Sequence, residues 1–121
     1  MLRIVGVERH IDATQEFILL QNQGTMRLNL RGHGVVSDEV LDVSGAAPGL
    51  FFFGEDVFIP SGGYVFLATG PTEARWQRTR DGANIYRTSM QRTQAIWHHF
   101  PGTMHVLQVQ HSFCEKPAIT V

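Results

Sequence analysis

Alternation of apolar and polar side chains in short runs is the feature of this sequence that most constrains its fold. Such runs recur from residues 2–7 to residues 104–110, and clusters of turn-forming residues such as Pro60-Ser61-Gly62-Gly63 separate them. A period of two belongs to β-strands, whose successive side chains point to opposite faces of a sheet, and no amphipathic helical pattern competes with it. About eight runs, spaced roughly 8–12 residues apart, are typical of a sandwich or barrel. The sequence therefore predicts an all-β sandwich of about eight strands.

Individual runs carry more specific predictions. Residues 16–22 form the strongest strand, whose nearly continuous apolar run indicates burial on both faces or a central position in a sheet. Gly6 marks a bulge where the alternation slips, and Asn22 and Gly24 suit left-handed backbone at a turn. Residues 42–49 and the longer stretch 69–83 are predicted to be irregular, because they are rich in polar and turn-forming residues. Trp97 is large enough to pin two sheets together if its ring nitrogen finds an acceptor.

Length and charge set the broad class of the protein. A chain of 121 residues has room for one core, so residues 1–121 are predicted to form a single domain that folds without disulfide or metal. The formal net charge of −1 excludes a strongly basic domain, although a local basic patch stays open. Cys114 is the only cysteine, so no internal disulfide forms, which fits a reducing compartment. Without a signal-peptide pattern or an apolar stretch of about 20 residues, we expect a cytoplasmic protein that does not enter a membrane.

Motifs of enzyme chemistry are missing from the sequence. No serine lies in a Gly-x-Ser-x-Gly context, and no glycine-rich loop leads into Lys-Ser/Thr and a helix. His105 and His111 share one predicted strand, where they would stand about 20 Å apart, too far for one metal ion. Only His98 or His99 with His105 leaves a metal pair open, and solvent-facing histidines are the favoured interpretation. The sequence thus predicts a protein that is not an enzyme and has no cofactor and no metal site.

Arginines with interleaved aromatic residues make the most distinctive surface feature. The candidate binding residues are Arg75, Trp76, Arg78, Arg80, Arg87 and Arg92. Tyr86 stands between them in the sequence. One interpretation is a patch that binds anions or nucleic acid, with the rings available for stacking. The other, favoured by the near-neutral overall charge, is a solvated loop whose arginines pair with acids such as Glu73 and Asp81. Trp76 either fills the core or anchors a partner.

Five segments, taken in order, carry a resemblance to a known family. The first is a strand that ends in a turn, Glu16-Phe17-Ile18-Leu19-Leu20-Gln21-Asn22-Gln23-Gly24. The others are Leu28-Asn29-Leu30-Arg31-Gly32-His33, Phe51-Phe52-Phe53, Ile59-Pro60-Ser61-Gly62-Gly63-Tyr64-Val65 with Thr69-Gly70, and Trp97 with Pro101-Gly102. In this order, from about residue 7 to residue 109, they resemble the lamin tail domain, an immunoglobulin-like β-sandwich. His33 departs from the pattern, since it stands where the family has an aromatic residue, and the tail 115–121 has no counterpart.

The resemblance implies a function in recognition. Lamin tail domains act as protein-interaction domains, so this chain is expected to be a non-catalytic binding module or adaptor, here a bacterial member that stands alone. A carbohydrate- or surface-ligand-binding domain is the alternative, because bacterial relatives often accompany secreted hydrolases. Nucleic-acid binding through the loop from Arg75 to Arg92 is a third and less favoured hypothesis. The predicted partner is thus a protein, and no residue is predicted to be catalytic.

Overall fold

The computed structural model describes residues 1–41 and 49–109, which form mainly strands and the turns between them. The helical pieces described are two 3-10 turns, Ala13–Gln15 and Trp97–His99, and a single α-helical turn, α1, at Asp38–Leu41. Ten strands follow one another along the described chain: β1 (Leu2–Glu8), β2 (Phe17–Asn22), β3 (Leu28–Asn29), β4 (His33–Ser37), β5 (Leu50–Phe52), β6 (Phe58–Ile59), β7 (Tyr64–Ala68), β8 (Arg75–Arg78), β9 (Asn84–Ser89) and β10 (Met104–Gln108). The all-β class predicted from the alternation is confirmed.

The strands form two main sheets and one short ribbon. Five strands make the larger sheet in the order β1-β2-β7-β9-β8, three make the smaller sheet in the order β10-β4-β5, and β3 pairs with β6. Neighbouring strands run antiparallel except β7 and β9, which are parallel. The parallel pair arises because the chain leaves β7, forms β8 at the sheet edge and turns back into β9. The larger sheet therefore ends in β8 on one side and in β1 on the other.

The core brings the two main sheets together. Ile18 and Leu20 of β2 belong with Val35 of β4 to one buried cluster, whose other members are Leu2, Leu30, Phe53, Ile59, Val65, Leu67, Tyr86, Met90, Ile96 and Trp97. This arrangement is sandwich-like, as the sequence predicts. Buried and partly exposed residues alternate along β2, which lies inside the larger sheet. For residues 16–22 the sequence predicts either burial on both faces or a central position in a sheet. The structure shows the second, because β2 lies inside the larger sheet with only one face buried.

The prediction that residues 69–83 are irregular is wrong, because they contain β8. Residues 80–82 turn the chain from β8 into β9, with Gly82 at φ 87° and the Thr79 N–H donating to the Ala83 carbonyl at 2.8 Å. A glycine with positive φ completes a turn of this kind between antiparallel strands. Neither face of β8 is buried, so its sequence, Arg-Trp-Gln-Arg, shows no apolar alternation to recognise. With such short and polar strands included, the described residues hold ten strands in place of the predicted eight.

The turns of the larger sheet follow the sequence prediction in part, with corrections at Asn22 and Gly24. The pairing of β1 with β2 shifts register between Ile4 and Gly6, where the bulge is predicted. Gly24 has no positive φ, and Asn22 does not adopt left-handed backbone either. It is the buried last residue of β2, and its side-chain Nδ2 donates to the carbonyls of Met26 and Ile59 at 2.9 and 3.0 Å. The amide side chain of Asn22, and not its backbone angle, therefore holds this turn.

A buried carboxylate, Glu16, ties distant parts of the chain together. Its two oxygens accept hydrogen bonds of 2.8–3.3 Å from the Thr69 hydroxyl and from the backbone N–H groups of His10, Ile96, Trp97 and His98. Only 1% of Glu16 is exposed. The side chain satisfies the free N–H groups at the start of the 3-10 turn Trp97–His99, as a helix cap does. It thereby fixes that turn to the beginning of β2 and the end of β7.

Trp97 lies in this junction and is wholly buried. It belongs to the core cluster that includes residues of both main sheets, which fits the predicted position between them. Its ring Nε1 has no hydrogen-bond partner among the described residues, so the acceptor that the sequence prediction required is not found there. The indole therefore contributes through apolar packing.

Several sequence predictions fall outside the described residues. These are most of the loop at 42–49, the final residue of the strand predicted at 104–110, His111, Cys114 and the tail 115–121. Among the described residues, β10 ends at Gln108. None of the helices in the described ranges has the length and apolar character needed to cross a membrane.

Candidate binding surface

The larger sheet has a partly exposed, largely apolar side, which we call the outer face. Because side chains alternate along a strand, the residues between the core positions of β2, β7 and β9 point away from the core. The outer face consists of Phe17, Leu19 and Gln21 on β2, Tyr64, Phe66 and Ala68 on β7, Ile85 and Arg87 on β9, and Arg75 and Gln77 on β8. The strand register places Leu19, Phe66, Arg87 and Arg75 in one row. An apolar band thus crosses the central strands and ends in two arginines.

The centre of the outer face holds a cation over an aromatic pair. Phe17 and Phe66 stack with ring centroids 4.5 Å apart and planes inclined by 26°. The guanidinium carbon of Arg87 lies 4.3 Å from the Phe66 ring centroid, and its Nη1 donates to Gln77 Oε1 at 3.2 Å. These two contacts orient the guanidinium, which has five N–H donors in all. Arg87 is therefore positioned in advance for a further acceptor.

Hollows indent the outer face at both ends. A groove of about 510 Å³ lies beside Phe17, Phe66 and Arg87, and the hydroxyl-bearing Thr14 and Thr72 also line it. A smaller hollow of 210 Å³ is lined by Leu19, Tyr64 and Ile85, among other residues. Grooves of this size accept single side chains of a partner. The outer face is thus shaped to receive projecting groups as well as a flat surface.

The structure divides the predicted binding residues between the two sides of β8. Arg75 pairs with Arg87 across the strands, so both lie on the outer face. Trp76 pairs with Tyr86 on the opposite side, with ring centroids 5.2 Å apart, and 46% of Trp76 is exposed. Arg78 shares that side with Trp76, because two residues separate them along the strand. The remaining two residues lie outside β8 and β9, and both are exposed: Arg80 in the turn and Arg92 in the loop after β9.

The arginines of this region are not paired with acids within the described ranges. Among the described residues, the one guanidinium–carboxylate ion pair joins Arg31 Nε to Asp56 Oδ1 at 3.0 Å. Asp81 accepts a hydrogen bond from the Thr79 hydroxyl, and this bond lowers the pKa of the Asp81 carboxyl. Glu73 makes no ion pair with a described residue. The predicted pairing of arginines with Glu73 and Asp81 is therefore not seen, and the charges face solvent.

The histidines of the described ranges do not gather into a recognisable metal centre. The rings of His98 and His99 meet edge to face with centroids 5.2 Å apart. The ring Nε2 of His105 contacts the carboxylate of Asp38. Residues 1–41 and 49–109 contain no group of three His, Cys, Asp or Glu side chains placed to hold a metal ion.

Two carboxylates have structural partners that sequence analysis missed. Both oxygens of the buried Glu16 are occupied by hydrogen-bond donors, so this group has no free face to offer a substrate. Glu55, which lies between β5 and β6, accepts hydrogen bonds from the hydroxyls of Tyr86 and Thr88. Burial, followed by the bond to Glu55, raises the pKa of the Tyr86 phenol to about 12. Both carboxylates therefore act in holding strands and turns together.

The outer face itself was missed by sequence analysis. Its apolar residues stand between core residues, so that residues 16–22 and 64–68 are apolar on both faces and look uniformly buried. No local pattern in the sequence separates the two faces, which become distinct only when the strands pair into the larger sheet.

Comparisons of the chain with protein-family models, with curated proteins and with solved structures find no match.

Proposed function

We propose that this domain is a non-catalytic protein-recognition module and that its partner docks on the outer face of the larger sheet. The observation that carries the proposal is the oriented guanidinium of Arg87 above the stacked rings of Phe17 and Phe66. Aromatic residues and arginine are the side chains enriched at protein interfaces. A contact that combines an apolar band with unpaired arginines favours a partner with apolar side chains and carboxylates.

The chemistry of the outer face favours a protein over a carbohydrate. A sugar presents hydroxyl groups that need donors and acceptors, and leaving buried polar groups unpaired costs free energy. The apolar members of the outer face offer one hydroxyl, that of Tyr64, while Phe17, Leu19, Phe66 and Ile85 offer only apolar contact. Apolar side chains of a protein partner can cover such residues without losing hydrogen bonds.

The lamin-tail resemblance supports the same proposal from the sequence. Its five segments occur in order, and the family they resemble is one of protein-interaction domains. We include the immunoglobulin-like assignment, a bacterial source and a cytoplasmic location in the proposal. Expression of a tagged chain with separation of cell fractions tests the location, and recovery outside the cytoplasm would contradict it.

Selection from a phage-displayed library of random peptides tests the proposed function. We expect enrichment of peptides that combine apolar and acidic residues, because these complement the outer face. Backbone amide signals of the ¹⁵N-labelled protein should then shift around Phe66 and Arg87 when a selected peptide is added. An array of glycans and a short duplex DNA serve as competing probes. The proposal fails if no peptide is enriched, or if glycans or DNA bind and the peptides do not.

A further inference from the structure

The free edge of β8 has the features of a site for an additional strand. We propose that an extended, acidic segment of the partner pairs with β8 and extends the larger sheet by a sixth strand. This inference rests on the proposed function and names the partner's conformation and charge. It is carried by the position of β8, by the backbone groups that β8 leaves free, and by the side chains that flank them.

The two edges of the larger sheet differ in what lies beside them. β8 ends the sheet order, and in the described residues its only strand partner is β9. The other edge strand, β1, packs beside β10, and Leu2, Ile4, Met104 and Val106 line a groove there. An approaching chain therefore meets an open edge at β8 and a neighbouring strand at β1.

Hydrogen-bond register shows which backbone groups of β8 point outward. The Thr79 N–H donates to the Ala83 carbonyl at 2.8 Å, so these two residues form a hydrogen-bonded pair at the turn. Hydrogen-bonded and non-hydrogen-bonded pairs alternate along an antiparallel ladder. Arg75 and Gln77 therefore bond to β9, whereas Trp76 and Arg78 direct their N–H and C=O groups to the free edge. Within the described ranges, no hydrogen bond to another backbone or side-chain group takes them.

Charge selects the kind of strand that can pair there. An added strand lies roughly 4.8 Å from β8, so its side chains stand beside Arg75 on one face and beside Arg78 on the other. Both arginines are exposed and have no ion-pair partner among the described residues. Opposite charges on neighbouring strands attract and like charges repel. A second copy of β8 would set arginine near arginine, so the same residues disfavour pairing of the domain with itself and favour an acidic strand.

Trp76 gives the added strand an apolar anchor. Its ring leans on Tyr86 and remains 46% exposed beside the outward backbone groups. An apolar side chain of the added strand would cover this ring, and tryptophan with arginine is a frequent pair at the centre of interfaces. On the other side, Arg75 continues into the outer face through Arg87. The added strand would thus enlarge the surface already proposed for the partner.

A capped peptide in which Glu and Val alternate is the probe for this inference. Trp76 and Trp97 are the two tryptophans, and Trp97 is wholly buried, so a change in fluorescence on binding reports mainly on Trp76. We expect saturable binding that weakens as salt is raised, and none with a matched peptide of Lys and Val. N-methylation of alternate peptide bonds on the pairing side should weaken binding at least about tenfold, because it removes the hydrogen bonds to β8. The Arg75→Ser, Arg78→Ser double variant should bind about fivefold or more weakly, while an Arg3→Ser, Arg27→Ser control keeps its affinity at the same net charge.

The outcomes separate this inference from the proposed function. Equal binding of the methylated and unmethylated peptides would overturn strand addition. Failure of the Glu-Val peptide, with library-selected peptides still shifting the signals around Phe66, would overturn strand addition and leave the proposed function standing. If neither kind of peptide binds, both proposals fail.

Discussion

Replacement of the buried Glu16 carboxylate by an amide probes the junction between the larger sheet and the turn at Trp97–His99. In Glu16→Gln the shape is kept, but one acceptor oxygen becomes an NH₂ group. Oε1 serves Thr69, Ile96 and Trp97, whereas Oε2 serves two backbone N–H groups. The less costly orientation therefore places the new NH₂ at the Oε2 position. There it faces two donors that it cannot satisfy.

The expected loss follows from those two donors. A buried group that loses its partner costs about 1–3 kcal/mol, and bonds to a charged acceptor lie toward the upper end. The partners affected are the N–H groups of His98 at 2.9 Å and His10 at 3.3 Å, the second of which is the longer and weaker bond. We therefore expect Glu16→Gln to lower the free energy of unfolding by about 3 kcal/mol. With an unfolding entropy of about 2.1 cal/mol/K per residue, this lowers the Tm by about 12 °C.

Urea unfolding followed by tryptophan fluorescence and by far-UV circular dichroism measures this loss. The two signals should give the same midpoint, and the dependence on urea should match that of the wild type, because the surface exposed on unfolding is unchanged. Glu73→Gln is the matched control, since Glu73 is exposed, and it should stay within about 0.5 kcal/mol of the wild type. A Glu16→Gln protein within about 1 kcal/mol of the wild type would refute the reasoning.

Three further predictions concern the strands and turns around the candidate surface. Because the pKa of Tyr86 is raised to about 12 by burial and by Glu55, its contribution to stability is complete below pH 10 and is lost as pH rises through 12. Unfolding measured between these pH values should show a loss in the wild type that Tyr86→Phe lacks, and identical pH profiles would contradict this. Gly82→Ala should cost about 1–2 kcal/mol in a thermal melt, because φ is 87°, whereas Gly54→Ala, with open space at its Cβ and no positive φ, should cost less than half as much. Asn22→Ala should destabilise by about 2 kcal/mol in urea because the buried Ile59 carbonyl and the partly buried Met26 carbonyl lose their donor, and a neutral effect would show that they find other partners.

A continuous apolar run was enough to predict a central strand, but alternation was not enough to predict the edge. Residues 16–22 are predicted to form the strongest strand, and β2 occupies most of that range inside the larger sheet. Arg75–Arg78 has no buried face, so the only trace of β8 is the turn that follows it. The pairing of β7 with β9 in parallel depends on where β8 lies, which no local pattern specifies.

For the candidate surface, too, the sequence predicts which residues belong to it but not on which face they lie. Composition identified Arg75, Arg78 and Arg87, but their faces depend on strand register: a step of three residues separates Arg75 from Arg78 and sends them to opposite sides. The partners of Glu16 lie up to 82 residues away in the chain, so its part in the junction becomes visible only in three dimensions.

The affinity of one library-selected peptide for two phenylalanine variants tests the central claim most directly. Phe66→Ala removes the ring beneath Arg87, and Phe52→Ala removes an exposed ring of the smaller sheet. Calorimetric titration, with circular dichroism to confirm folding, should show binding weakened at least about tenfold by Phe66→Ala and unchanged by Phe52→Ala. Equal affinity of both variants and the wild type would contradict a binding site on the outer face.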